Sequence, residues 1–549
     1  MFPEFDKIQN IKVKYKSHPS ILKIKEMMTK LNTDDVIFEF STVTPDQVSE
    51  QIRTLRTKKS ARGDIPIKLI KVTSKVCVSH LTDCINSAIM EGNFPDELKL
   101  GDIVPAFKTD DKTDKTNYRP ITLLAVFSKI YERLLIEQIN NYIYDKISIH
   151  LCGFRKGYST QHALSKLIEQ WRNCLDKKGI VRAILMDLSK AYDTLPTDLL
   201  IAKLDAYGFG INALNLMHSY LTDRKQRVKV GSKFSIWADE IRGVPQGSVL
   251  GPILFNIFIN DLLHFIEDTE IINFADDNTI YASDRDITKV AFKLENYLKI
   301  ILNWFNINSM VANPKKFQFI VLGYNGKKLC VSVNNQIIMS SDTVKLLGII
   351  IDKDLTFNQH IDKLCKKATN KVNALSRISR SLNDTRKLKI LANSFFFSIF
   401  QYCPIIWMLC TKKRAKQIDK LHKRLLKRLH NKNNLSFTEL LSIDDSYCIH
   451  VRNLQVLMIE IYKTINNLNP AFMNNIFEVK NVFYQFRNSN LLKIPKPSSI
   501  KFGYKSISFR GAILWNNLPE NIKNAENLNT FKKLIQQWDA KTCNFHICS

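Results

Sequence analysis

The sequence predicts a mixed α+β fold built from several domains, on three observations. Amphipathic helical stretches and short β-type runs share most of the chain. The 549 residues exceed one ordinary core and indicate about three or four units. Hydrophobic content of 45% with 24% charged residues describes a globular protein, not a disordered one.

The charge balance narrows the partners. Eighty Lys+Arg stand against 52 Asp+Glu, a formal net charge of +28. Such an excess favours a polyanion, nucleic acid first and an anionic membrane second. Eleven cysteines are scattered without a repeating framework, so reduced thiols in an intracellular protein are expected. Cys543, His546 and Cys548 lack a fourth zinc ligand and are expected in a frayed tail. No apolar run follows Met1, so no signal peptide is expected. Phe395 to Cys410 is the one stretch resembling a membrane span. Gln401, Tyr402 and Pro404 interrupt it, and a buried helix pair is expected instead.

In chain order, residues 1–50 show little period. A polar helix is expected from Asp46 to Thr57, then a basic turn from Lys58 to Asp64 able to touch phosphate. Leu81 to Leu100 reads as helix and Asp102 to Lys108 as strand. A polar hairpin, Thr109 to Thr116, leads to Asn117-Tyr118-Arg119-Pro120-Ile121. Arg119 is held extended by the proline after it, which suits a bidentate phosphate clamp. Residues 126–146 form a strong amphipathic helix with Phe127, Ile130, Tyr131, Leu134, Leu135 and Ile139 on one face. In Gly153-Phe154-Arg155-Lys156-Gly157, two glycines bracket two cations and an aromatic, a set suited to phosphate contact and base stacking.

Val181 to Met186 is an apolar strand ending at Asp187, and a helix is expected near 198–207. A hairpin from Arg227 to Ile236 follows. The stretch from Arg242 to Pro252 is glycine-rich and contains Gln246 and Gly247 before a helix over 253–265. Glycine lets backbone approach a flat ligand, and Gln246 can both donate and accept. Next, Asn273-Phe274-Ala275-Asp276-Asp277-Asn278 lies between apolar strand-formers and reads as a tight hairpin presenting two carboxylates. A helix over 293–304, a strand over 318–322 and a strand over 344–352 bent at Gly348 come after it. Helices are expected at about 358–380 and 384–410. Lys412 to His430 carries nine cations against Asp419 alone, with Ile418, Leu421, Leu425 and Leu429 at helical spacing; this basic face suits a nucleic-acid backbone. A small packed unit with a last helix near 528–538 closes the chain.

Together these pieces predict a chemistry. Asp187, Asp276 and Asp277 suit two hard divalent cations, which take oxygen ligands and leave room for phosphates. Arg119 and a lysine near 108–112 supply phosphate clamps, and Gln246 a wall for sugar and base. Tyr192, five residues past Asp187, can exclude a 2′-hydroxyl by clash.

In this order, Asn117-Tyr118-Arg119-Pro120-Ile121, Gly153-Phe154-Arg155-Lys156, Asp187 with Ala191-Tyr192-Asp193, Gly243 to Pro252 and Phe274-Ala275-Asp276-Asp277 resemble the reverse transcriptase of non-LTR (LINE-type, jockey- and CR1-like) retrotransposons. Trp304, Asn313, Lys316 and Val344-Lys345-Leu346-Leu347-Gly348 resemble its later motifs. Trp515-Asn516-Asn517-Leu518-Pro519 resembles the C-terminal region of some such elements. The resemblance implies a right-hand polymerase: a linker remnant at 1–54, fingers at 55–180, palm at 181–355 (the reverse transcriptase domain at about 88–352), helical thumb at 356–430 and a C-terminal region at 431–549. It implies RNA-directed DNA polymerase activity with two Mg²⁺ ions (or Mn²⁺) on Asp187, Asp276 and Asp277. Lys316 is implied to protonate the leaving group. Lys108, Arg119, Tyr192, Gln246 and Gly247 are implied to bind nucleotide, Phe154, Arg155 and Lys156 the template, and Leu347 and Gly348 to form the primer grip. RNA template, DNA primer or target and deoxynucleoside triphosphates are the implied partners, without a membrane. The implied setting is intracellular, in the nucleus. With about 50 residues before the fingers, no endonuclease and no nicking in cis are expected. The alternative is an inactive, truncated copy that only binds nucleic acid.

Overall fold

The computed structural model describes residues 3–31, 36–56, 62, 65–108, 111–188, 192–266, 270–382, 384–480 and 491–540. It is an α+β structure whose chain divides into two compact units. The first comprises Met1–Phe154, Asp187–Asp276 and Tyr297–Asn313; the second comprises Arg155–Met186, Asp277–Asn296 and Pro314–Ser549.

In the first unit, the N-terminal stretch that showed little period forms two helices, Pro3–Tyr15 and Pro19–Lys30, both packed on the Thr197–Ala206 helix. Each buries only a few apolar side chains, Ile8 and Ile11 in one and Ile21, Ile24, Met27 and Met28 in the other, which is why the pattern is faint in the sequence. The Pro45–Thr54 helix starts at a capping box between Thr44 and Gln47. The helix expected at Leu81 begins earlier and runs Ile67–Glu91. Its first half leaves Leu69, Val72 and Val76 exposed, which hides the burial period. It stops at Gly92, in the left-handed C-cap conformation, and so does not reach Leu100.

A five-stranded sheet follows. Leu100–Phe107 pairs antiparallel with Tyr118–Leu123 and parallel with Arg224–Val230, which also carries Lys233–Phe234 and Ala238–Glu240. The register sets Ala106 opposite Arg119 and Phe107 opposite Tyr118, so Lys108 and Arg119 share one end of the ladder. Next in the chain comes the Val126–Ile143 helix, whose Tyr131 stacks on Phe94 at 5.1 Å. The helical side of the unit closes on a fully buried ion pair. Lys203 Nζ donates to Asp261 Oδ1 at 2.6 Å and to the Phe258 carbonyl at 2.7 Å, and Trp304 Nε1 donates to Asp261 Oδ2 at 2.7 Å. Burial lowers the Lys203 pKa to about 8 even though Asp261 opposes the shift.

In the second unit, Ile180–Asp187 (through Met186) lies between Asp277–Asp284 and Gln318–Leu322, the last antiparallel to it. The Thr160–Asp176 helix, capped by Ser159, is tied to the C-terminal part of the chain. His162 Nε2 lies 2.9 Å from Glu460 Oε2, and Glu169 accepts from the Ile507 and Ser508 amides. The expected bent strand at 344–352 is instead a hairpin, Thr343–Leu346 with Ile349–Asp352. Leu347 and Gly348 both have positive φ, as a tight two-residue turn requires. The expected helix at 384–410 is broken into Thr385–Ala392, a π turn at Asn393–Phe397, Ser398–Phe400 and Pro404–Trp407. Pro404 cannot continue a helix, and Cys403 before it turns left-handed. The apolar side chains of this stretch go to the core: Phe396, Phe400, Ile405, Ile406 and Trp407 are buried. No described helix is long and apolar enough to cross a membrane.

The basic segment is the Lys412–Leu429 helix, with Ile418, His422, Leu425, Leu426 and Leu429 inward. The Ile449–Ile465, Ile507–Asn516 and Leu528–Gln536 helices meet through Tyr462, Trp515 and Phe531, with Tyr462 and Phe531 stacked at 4.2 Å. Cys543, His546 and Cys548 lie outside the described residues, as does the 58–64 loop apart from Arg62.

Candidate active site

The acidic turn sits where a strand ends. Ile271–Phe274 is extended, Ala275 has φ +58°, and Asp276 completes a two-residue turn before Asp277–Asp284 begins. Within the first unit this turn is held from two sides. Asn273 donates through Nδ2 to the Ala275 carbonyl at 2.9 Å, and its backbone exchanges bonds with His150 and Cys152. Gly153 comes so close that a Cβ there would lie 2.4 Å from the Ala275 nitrogen. Asn256, buried in the Gly251–Asn260 helix, fixes the Gly153 carbonyl at 2.8 Å. The Gly153-Phe154 turn is therefore part of the support of Asp276.

The glycine-rich loop is tied to the neighbouring elements through its backbone. Thr122 N donates to the Gln246 carbonyl at 2.8 Å, Val244 N to the Tyr192 carbonyl at 3.0 Å and Gly243 N to that of Leu195 at 3.0 Å. Gly247 has φ +132°, and a Cβ there would lie 2.5 Å from the Thr122 carbonyl, so no other residue fits without moving the strand that bears Arg119. The Gln246 side chain donates to Asp193 Oδ1 at 2.9 Å. Tyr192 stacks on Phe255 at 4.7 Å and meets Phe154 edge-on at 6.1 Å. Its hydroxyl is buried without a hydrogen-bond partner among the described residues. Burial, and then the charge on Asp276, push that hydroxyl's pKa up.

The charges converge on Asp276. Its carboxylate keeps an exposed surface, yet the protein packed around it disfavours the ionised form and raises its pKa. The negative charge of Asp187 adds to the rise, and Arg119 and Lys108 oppose it. The first unit thus brings together Asp187, Asp276, Lys108, Arg119, Tyr192, Gln246, Gly247 and Phe154. Two carboxylates that repel each other, facing two cations, fit a divalent ion with a phosphate chain beside it. No three His, Cys, Asp or Glu side chains among the described residues form a ready-made metal cage. Mg²⁺ does not need one, since it completes its shell with water and substrate phosphate.

The remaining predicted residues belong to the second unit. Asp277 opens the Asp277–Asp284 strand. Lys316 ends the Pro314–Lys316 turn with an exposed side chain. Arg155 lies over the Tyr158 ring at 4.4 Å, and Lys156 follows it. Leu347 and Gly348 form the hairpin turn, where Tyr402 Oη donates to the Leu347 carbonyl at 2.6 Å.

Sequence reasoning did not single out Asn256, and it named Asn273 only as the first residue of the acidic hairpin, without a supporting role. Each is a fully buried amide in an otherwise apolar element, and that interruption of the pattern was the available signal.

Residues 108–351 match the family model described as "Reverse transcriptase (RNA-dependent DNA polymerase)". The chain is 26% identical over 398 residues to a probable RNA-directed DNA polymerase from transposon BS of Drosophila melanogaster, covering 70% of this chain and 44% of that one. It is 26% identical over 406 residues to the RNA-directed DNA polymerase from mobile element jockey of the same fly, covering 71% and 44%. It is likewise 26% identical over 431 residues to the probable RNA-directed DNA polymerase from transposon X-element, covering 74% and 46%. The chain thus spans less than half the length of these curated relatives. The solved apo telomerase from Candida tropicalis, truncated from the C-terminal domain, aligns at a TM-score of 0.32 and 14% identity over 54% of this chain and 61% of that one, too loosely to support an argument. Residues 108–351 thus match a reverse transcriptase domain, and the chain is similar across about 70% of its length to RNA-directed DNA polymerases of mobile elements.

Proposed function

We propose that this chain extends a DNA 3′ end on an RNA template during movement of a mobile element. The observation that carries this reading is the meeting of Asp276 with the charges of Asp187, Arg119 and Lys108 inside the matched domain. In the reaction, the primer 3′-oxygen bonds to the α-phosphorus of a deoxynucleoside triphosphate, the bond to pyrophosphate breaks, and the hydroxyl proton is lost. Asp187 and Asp276, with Asp277 next in the chain, would hold two Mg²⁺ ions (or Mn²⁺). Such ions acidify an attacking hydroxyl and stabilise a leaving oxygen. Arg119 and Lys108 clamp the triphosphate, and Lys316 gives the leaving pyrophosphate its proton. Gln246 and Gly247 line the sugar and base. Tyr192, fixed by its stack on Phe255, closes the space a 2′-hydroxyl would need.

Phe154, Arg155 and Lys156 contact the template, and Leu347 and Gly348 position the primer. The right-hand division into fingers, palm and thumb belongs to the same reading. So does a nuclear setting, where target DNA lies. Nucleic-acid binding draws support from the second unit. The Lys412–Leu429 helix exposes Lys412, Lys413, Lys416, Lys420, Arg424 and Arg428. The Asn358–Ile378 helix packed beside it exposes Lys363, Lys366, Lys367 and Lys371. Arg424 reaches Asn373 at 2.7 Å and Arg414 pairs with Asp362, so the two cationic faces are neighbours.

The test is primer extension on an RNA template with Mg²⁺, wild type beside Asp276→Asn. Synthesis by wild type and none by the variant is expected. Full activity in the variant would sink the metal assignment. RNA binding without synthesis by wild type would select the non-catalytic alternative.

A further inference from the structure

A carboxylate far from the acidic turn in sequence holds the glycine-rich loop. Glu132 lies on the Val126–Ile143 helix and is completely buried. Its Oε2 accepts from the amides of Val249, at 2.5 Å, and Leu250, at 3.0 Å. Its Oε1 accepts from Ser128 Oγ at 2.9 Å. A buried carboxylate needs such donors, because desolvation alone strongly disfavours its charge. Burial does raise the Glu132 pKa, and the two amides, Ser128 and the positive charge of Arg224 oppose the rise. Arg224 is itself buried, donates to the Tyr220 carbonyl at 3.0 Å and pairs with Glu240 at 3.6 Å.

The two amides have a particular position. They come just before the Gly251–Asn260 helix, where backbone donors have no intrahelical partner and the helix dipole favours negative charge. At its other end the same loop is tied by the Thr122 amide to the Gln246 carbonyl, and Thr122 lies on the strand that carries Arg119. The Gln246-Gly247 segment thus spans two anchors: the sheet that carries Arg119 on one side and Glu132 on the other. All of these groups belong to the first unit.

We infer that Glu132 is a positioning residue of the nucleotide pocket: its charge fixes the Val249 and Leu250 amides and thereby sets the place of Gln246 and Gly247. The inference deepens the polymerase reading and rests on it for its kinetic consequence. It makes the buried Ser128–Glu132 pair, rather than a group touching substrate, a determinant of nucleotide affinity.

Glu132→Gln keeps an acceptor oxygen and the side-chain volume but removes the charge. Expected are about tenfold faster hydrogen exchange at the Val249 and Leu250 amides and a deoxynucleotide KM about tenfold higher. The kcat at saturating nucleotide and the primer–template Kd should stay within about twofold. Glu137→Gln, exposed on the same helix, should change none of these. Ser128→Ala removes only the hydroxyl donor and should shift exchange and KM the same way by a few-fold, which keeps the test open if Glu132→Gln does not fold. Unchanged exchange in a folded Glu132→Gln protein would overturn the anchor. Faster exchange with an unchanged KM would overturn its role in the pocket. A wild type that protects both amides but makes no DNA would uphold the anchor and count against the polymerase reading.

Discussion

Gly153→Ala probes how the acidic turn is held in place. A methyl group at 153 would lie 2.4 Å from the Ala275 nitrogen, 3.1 Å from its Cα and 3.2 Å from the Phe274 carbonyl carbon. All three are backbone atoms, so no side chain can rotate away. Restoring an ordinary contact of about 3.4 Å takes a shift of about 1 Å in the turn that carries Asp276. A displacement of that size at a reacting centre costs about a hundredfold in rate. The overpacking itself destabilises by about 1–3 kcal/mol, which leaves a folded protein to assay. Single-nucleotide extension at saturating nucleotide should therefore fall about a hundredfold, with primer–template Kd nearly unchanged. Asn256→Ser withdraws the amide that fixes the Gly153 carbonyl and should act in the same direction, by about tenfold. A Gly153→Ala enzyme within threefold of wild type would refute the idea that this turn registers Asp276.

Three further outcomes follow from other parts of the chain. Tyr192→Ala should incorporate ribonucleotides more readily, read as the ratio of kcat/KM for the two sugars; an unchanged ratio would exclude the gate. Lys416→Ala with Lys420→Ala should weaken RNA binding at every sequence and lower the slope of log K against log salt by about one for each phosphate no longer neutralised. In the second unit, burial alone would raise the Glu460 pKa, but the bonds from His162 and Lys463 prevail and hold it at about 2. A depressed carboxylate stabilises the fold above its unfolded pKa of about 4.3 and loses that contribution as pH falls toward 2. Denaturant titrations should show wild type losing stability across that window, and Glu460→Gln starting lower at neutral pH and changing less.

What could be read in advance was whatever the chain encodes locally. The strand ending at Asp187, the turn at Asp276, the strand at 318–322 and the basic helix each declare themselves within about ten residues through period, turn chemistry or charge. The helix ends were less legible. Gly92 stops one helix and Pro404 breaks another, but the exposed Leu69, Val72 and Val76 hid where the first begins. The N-terminal helices were missed because each buries a handful of side chains on a partner nearly two hundred residues away.

The buried contacts that support the site across long stretches of sequence were not legible. Gly153 reads as a loop glycine until it is seen against Ala275, and Asn256 as an oddity in an apolar helix until it is seen holding Gly153. Glu132 shows why this matters for function. On the helix its period matches the apolar face, four residues after Ser128 and between Tyr131 and Leu134. A polar pair at that spacing, turned toward the core, has to be satisfied by something from elsewhere in the fold. Here the partners are the two amides that follow Gln246-Gly247-Ser248. The motifs assigned to the proposed nucleotide site can be named one at a time from sequence. Their mutual placement depends on buried polar side chains outside those motifs, and it is those side chains whose replacement should alter nucleotide affinity without altering the chemistry.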